Sequence, residues 1–220
     1  MINILKTIDL AVLKPNRLED DLIQACKLAN TYKVASVCVR PMDVLFTKEL
    51  LCNSIILVST VIGFPRGNQN TNTKIMEALQ AIEDGGNELD VVMDTDAFLN
   101  KKYSYVRDSL KMLVKTAKDT SVKVIIETGL LSPDKIIKAS QLVEASGAAY
   151  VKTCTGYGPR GVVTADISTI MSSTSLPVKA SGGIKTYNQA SAYVALGCQR
   201  LGIGLESFEN ILKELNDASK

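Results

Sequence analysis

The chain has 220 residues, 46% of them hydrophobic and 22% charged, with a formal net charge of +2. That is ample material for a sizeable core, and the scattered basic residues leave no footprint of a dedicated nucleic-acid binder. There is no histidine, which removes Ser-His-Asp and Cys-His nucleophiles, His-ligated metals and imidazole acid–base chemistry together.

In chain order, short Val/Ile-rich runs alternate with helix-length amphipathic stretches. A strand near Ile8 to Leu13 leads into a helix over Leu18 to Tyr32, where Leu18, Leu22, Ala25, Cys26 and Ala29 form a one-sided stripe at helical spacing. Strands follow at Ala35 to Val39 and Ile55 to Val61, then a helix over Thr73 to Asp84 that stops at Gly85-Gly86. Next come a strand at Glu88 to Met93, a helix over Tyr103 to Lys118 and a strand at Val122 to Glu127. Ser132-Pro133-Asp134 reads as a cap and first turn of a helix ending near Gly147. Strands at Ala149 to Thr153 and Pro177 to Ala180, a helix over Tyr187 to Ala195 and a strand at Arg200 to Ile203 complete the series.

Eight such strands, with no composition shift or linker, predict a single-domain (β/α)8 TIM barrel over residues 1–220. An open doubly wound sheet is the alternative. The start MINILKTIDL lacks the apolar region of a secretory signal, and no apolar run reaches the roughly 20 residues that cross a bilayer. A cytoplasmic protein with no membrane and no nucleic-acid partner is therefore expected. The cysteines are odd in number, widely spaced and form no C-x-x-C pair, so they read as reduced, partly buried thiols.

Parallel barrel strands are buried, so a charge within one needs a reason. Asp90 in ELDVVM, Glu127 in VIIETG, Lys152 in AYVKT, Lys179 in PVKASGG and Asp9 in TIDLAVL all qualify. Most sit toward the C-terminal ends of their strands, the face on which barrel enzymes build active sites, with Asp9 and Asp90 deeper. If Lys152 points inward, it meets Lys179 of the adjacent strand near the barrel mouth. Two amines there would not both be comfortably protonated, since burial and a neighbouring positive charge each disfavour the ammonium. A neutral amine attacks an aldehyde or ketone to give a carbinolamine and then an imine, which serves as an electron sink for carbon–carbon cleavage or formation. With no histidine, the proton transfers fall to a carboxylate, and Asp90 is the one most deeply set in an apolar strand. Asp9 and Glu127 are left to position it, neutralise a lysine or bind substrate hydroxyls. Lys123, at the start of its strand, reads as a solvated or structural lysine at the barrel's bottom. A purely structural ion-pair network is the competing reading of the whole set.

Three glycine-bearing loops follow the last three strands: Thr155 to Gly161, Ser181 to Lys185, and Leu201 to Ser207. Glycines let backbone N–H groups approach an anion, and barrel enzymes often hold phosphate between the loops after strands seven and eight. Here those carry Gly182-Gly183 and Gly202/Gly204, with Lys185 as a nearby cation, favouring a phosphorylated substrate.

The segments IDLAVLKP, ASVCVRP, VIGFPRG, ELDVV, VKVIIETGLL, YVKTCTGYGPRG and LPVKASGGIKT occur in this order. Together they resemble the deoxyribose-phosphate aldolase family over nearly the whole chain. The resemblance implies reversible cleavage of 2-deoxyribose 5-phosphate to acetaldehyde and glyceraldehyde 3-phosphate by a homo-oligomer (dimer or tetramer) that needs no metal or cofactor. It implies that Lys152 is the Schiff-base lysine, Lys179 the second lysine that perturbs it, and Asp90 the proton shuttle. Asp9, Thr153 and Thr155 match the relay and substrate pocket, while Gly156, Gly182, Gly183 and Lys185 match the phosphate region. The chain departs from the family at D-L-A-V-L in the first strand and at Asp94 and Asp96, whose charge would raise the pKa of Asp90. It also has Gly204 and Leu205 where the family carries serines, and a C-terminus at Lys220 without a terminal tyrosine. The remaining alternatives are a barrel lyase or isomerase with Glu127 as base, and a non-catalytic sugar-phosphate-binding barrel.

Overall fold

The computed structural model describes residues 4–217. Eight parallel strands close into a barrel in sequence order: β1 (Ile8–Val12), β2 (Ser36–Val39), β3 (Leu57–Ile62), β4 (Glu88–Val92), β5 (Ser121–Ile125), β6 (Tyr150–Lys152), β7 (Val178–Ser181) and β8 (Arg200–Gly204). Closure is made by β1, which pairs with β2 on one side and β8 on the other, so the open-sheet alternative is excluded. Lys220, where the family's terminal tyrosine is missing from the sequence, lies outside the described residues.

The helices follow the predicted stripes closely where those are long. They are α1 (Glu19–Tyr32), α2 (Val44–Leu50), α3 (Thr71–Glu83), α4 (Thr95–Leu99), α5 (Tyr103–Ala117), α6 (Pro133–Ala145), α7 (Thr164–Met171), α8 (Tyr187–Ala195) and α9 (Leu205–Asp217). α3 begins two residues earlier than Thr73 because Asn70 caps it, its side chain accepting the Thr73 N–H at 2.9 Å. At α6, Ser132 occupies the cap position without a side-chain bond, and Pro133 supplies the pre-set first turn. The sequence did not announce α2, α4 and α7, whose five to eight residues are too few for a legible stripe. It also read Leu201 to Ser207 as a loop, whereas β8 runs to Gly204 and α9 starts at the next residue. β3 begins at Leu57, leaving Ile55 exposed. β5 ends at Ile125, so Glu127 stands beyond the strand in a left-handed conformation (φ 53°).

Alternation sorts each strand into two sets. The outward set (Ile8, Leu10 and Val12 on β1, Leu89 and Val91 on β4, Val151 on β6) belongs to one contiguous apolar core shared with the helices. The inward set carries the charges, with Asp9, Asp90, Lys123 and Lys179 wholly buried. Gly202 belongs to it too: a Cβ there would lie 2.7 Å from Ser181 Cβ and 3.4 Å from Lys179 Cε. Its missing side chain therefore makes room for the lysine. Among the described residues no helix is long and apolar enough to cross a membrane.

Gly202→Ala is expected to destabilise the fold by about 1–3 kcal/mol through overpacking. Gly204→Ala, with nothing within 4 Å of the added Cβ, should stay within about 0.5 kcal/mol of wild type. Urea midpoints of the two variants check the contrast.

Candidate active site

Lys152 ends β6 and Lys179 lies beside it in register on β7. Both amines donate to one atom, Asp90 Oδ2 on β4, each at 2.6 Å. The second oxygen of Asp90 faces Lys123 Nζ at 3.2 Å, and Lys123 in turn donates to Glu88 Oε2 at 2.6 Å. Arg200 of β8 reaches Glu88 Oε1 at 2.7 Å and also binds Asp9 Oδ1. Asp9 closes the circuit through Oδ2, which pairs with Lys179 at 2.5 Å, while Ser36 donates to Oδ1 at 2.8 Å. Lys123 is thus fully buried within the charged cluster, not solvated, because two carboxylates on β4 replace the water it gives up.

This geometry alters the expected electrostatics in two places. The two lysine amines are not left to repel one another, since Asp90 lies between them. Burial works against the Lys179 ammonium, but Asp9 and Asp90 more than offset it and raise its pKa. The expected rise at Asp90 is reversed as well. Burial favours its neutral form, yet Lys123, Lys152 and Lys179 outweigh that and hold its pKa well below the usual carboxylate range. Asp94, the anticipated source of repulsion, caps α4 by accepting the Ala97 N–H at 2.8 Å and does not touch Asp90. Asp9 is likewise disfavoured as a charge by burial but lowered to about 2 by Lys179, Lys123 and Arg200.

Lys152 is the member of this cluster that opens onto a cavity of about 600 Å³ at the C-terminal mouth of the barrel. Thr155, Gly156, Gly182, Gly183 and Lys185 line it, as do Gly202 and Gly204. Gly182 has φ 89°, and a Cβ there would fall 2.7 Å from Cys154 Cβ, so the loop's path demands glycine. The first turn of α9 also faces the cavity through Glu206 and Ser207, and Glu206 is paired to Lys14. Its free backbone N–H groups and dipole favour an anion.

Two sequence candidates stand off the cavity. Asp9 lies below it in the ion-pair circuit. Thr153 is buried, its hydroxyl donating to the Ser181 carbonyl and accepting the Ser181 N–H, both at 2.9 Å, which stitches β6 to β7. Glu127 touches neither lysines nor Asp90. Its Oε2 accepts the N–H and hydroxyl of Thr155 at 3.1 and 2.5 Å, and it lines a separate cavity of about 390 Å³ with Arg66 and Asp96. Tyr157 borders both cavities and donates its hydroxyl to the Leu13 carbonyl at 3.1 Å. Glu88 and Arg200 were not singled out from sequence. The signal that could have found them is parity, since Glu88 shares a face with Asp90, and Arg200 with Gly202.

The family model described as DeoC/LacD family aldolase matches residues 4–210. The chain belongs to the DeoC/LacD aldolase family. It is 38% identical to a deoxyribose-phosphate aldolase of Caldanaerobacter subterraneus subsp. tengcongensis over 92% of this chain and 90% of the relative. It is 40% identical to one from Mycoplasma capricolum over 97% of both chains. The tetrameric deoxyribose phosphate aldolase structure from Aeropyrum pernix superposes with a TM-score of 0.89 at 27% identity, covering 98% of this chain and 92% of that one. The chain is accordingly a family aldolase, a carbon–carbon lyase on a TIM barrel.

The lowered carboxylates set the acid limit of stability. Groups whose folded pKa is depressed stabilise the fold above the unfolded value, near 3.9 for Asp, and lose that contribution as pH falls through the folded one. Lys179, raised, contributes fully below the ordinary lysine value and loses it only as pH climbs through its higher folded value. The urea midpoint is therefore expected to be flat near neutrality and to fall between about pH 4 and the value of about 2 held by Asp9. Asp9→Asn should be less stable at pH 7 and show a shallower acid slope.

Proposed function

We propose that the chain reversibly cleaves 2-deoxyribose 5-phosphate to acetaldehyde and glyceraldehyde 3-phosphate through an imine on Lys152. The observation that carries this reading is the Lys152 amine at the edge of the cavity, sharing Asp90 Oδ2 with Lys179. The names of the relatives supply the substrate. Lys152 attacks C1 of the open-chain sugar, and loss of water from the carbinolamine leaves a protonated imine. A base then takes the proton of the C3 hydroxyl, and the C2–C3 electron pair moves into the imine to form an enamine. Glyceraldehyde 3-phosphate departs, C2 is protonated, and water hydrolyses the acetaldehyde imine to return the free amine.

Asp90 and Lys179 are the groups assigned to those proton transfers, as a carboxylate and an ammonium within 2.6 Å of each other. Lys179 also supplies a fixed positive charge beside the nucleophile. The phosphate is assigned to the Gly182-Gly183 turn and the start of α9, with Lys185 at the rim and Thr155 and Gly156 on the facing wall. Lys14 neutralises Glu206, the one carboxylate in that first turn of α9. In this reading Asp9 and Thr153 act by holding Lys179 and the β6–β7 junction rather than by touching substrate. A homo-oligomer is inferred as well, supported by the tetrameric Aeropyrum pernix relative and by large exposed apolar side chains such as Met42, Leu45 and Met76.

Borohydride reduction in the presence of acetaldehyde should leave an ethyl group on Lys152, read by peptide mass spectrometry. Lys152→Leu should lose both the adduct and at least about 10³-fold of kcat in a coupled assay for glyceraldehyde 3-phosphate. Cleavage that persists without the adduct would instead favour non-covalent chemistry in the cavity beside Glu127.

A further inference from the structure

The buried charges form a closed figure. Arg200 pairs with Glu88, Glu88 with Lys123, Lys123 with Asp90, Asp90 with Lys179, Lys179 with Asp9, and Asp9 returns to Arg200. Three carboxylates alternate with three cations, and their charges cancel. Each of the three cations touches two carboxylates. Lys152 is the seventh charge: it touches Asp90 alone and faces the cavity. With all four cations charged the buried assembly carries one positive charge in excess, and it is neutral when Lys152 is the free amine.

We infer that Glu88 and Arg200, at the start of their strands and away from the cavity, are positioning residues whose charges set the proton balance of Lys152 through the ring. The inference rests on the reading of Lys152 as the imine-forming amine. Low dielectric inside the barrel lets a unit charge act over several side chains. Every titratable group facing Lys152 across the barrel fits this assignment. These are Asp9 of β1, Cys38 of β2, Glu88 and Asp90 of β4, Lys123 of β5, Tyr150 of β6, Lys179 of β7 and Arg200 of β8. The Cys38 thiol lies 3.9 Å from Asp90 Oδ2, and burial and the Asp90 charge keep it neutral. Lys179 stays charged between its two carboxylates. Lys152, by contrast, pairs with a single carboxylate and faces the cavity.

A merely structural ring and a tuning ring differ in sign. Removing the negative charge of Glu88 leaves the assembly too positive and drives the proton off Lys152. Removing the positive charge of Arg200 leaves it too negative and retains that proton. The test is the acid limb of the kcat/KM pH profile of the full chain, together with the pH dependence of the initial rate of borohydride trapping on Lys152. Glu88→Gln should move both limbs to lower pH and Arg200→Met to higher pH, each by on the order of one pH unit. Arg200→Lys, which keeps the charge, should restore the wild-type position. Shifts in the same direction, or lost activity with unmoved limbs, overturn the inference while leaving the imine reading intact if wild-type Lys152 still traps acetaldehyde. No adduct on wild-type Lys152 overturns both. Should Arg200→Met fail to fold, the isosteric Glu88→Gln decides by itself, and a limb that does not move down overturns the proposal.

Discussion

Asp90 is the hinge of the molecule's electrostatics. One of its oxygens takes two ammonium groups and the other faces a third. Burying such charges is costly unless each finds compensation within hydrogen-bond reach. The barrel provides it by alternating sign around its interior, so that β1, β4, β5, β7 and β8 each contribute to one circuit. Arg200 reaches from β8 both to its neighbour β1 and across to β4, the strand opposite. Such a network adds little net stability over an apolar filling, yet leaving one partner alone costs about 3–5 kcal/mol.

That circuit suits an aldolase without histidine. In place of an imidazole the barrel holds carboxylates and cations in alternation, with Lys152 at the end of the cluster that faces the cavity. Across the cavity the environment changes from fixed side-chain charge to backbone: a glycine turn with positive φ at Gly182 and Gly183 and the open first turn of α9. A sugar phosphate has the matching polarity, an electrophilic carbon at one end and a dianion at the other.

Much of this was legible in the sequence because strand parity and burial are one-dimensional rules. Lys152, Lys179, Asp90 and Asp9 were visible as charges where strands should be apolar. Glu88 and Arg200, which open their strands, and Lys123, which sits in the first half of its own, escaped or were discounted because a charge there ordinarily meets water. Here each finds a partner contributed by a distant part of the chain. Glu127 misled for the converse reason. It continues a Val/Ile run, but its left-handed backbone turns it out of the barrel to hold Thr155. The start of α9 was hidden because Gly202 and Gly204 read as loop, whereas one makes space for Lys179 and the other adjoins the helix.

The division of the strands into an outward apolar set and an inward set that holds the buried charges has a consequence for how this protein can change. Val61, Val92 and Ile125, the inward apolar residues, are buried but stand apart from the contiguous core. Cohesion therefore resides in the shell between strands and helices, and chemistry in the lumen. Neighbours such as Val151 and Lys152 thus answer to separate demands, one steric and one electrostatic. Drift in the shell and innovation in the lumen can proceed along the same eight short segments with little interference, an arrangement that leaves the catalyst open to new substrates without rebuilding its scaffold.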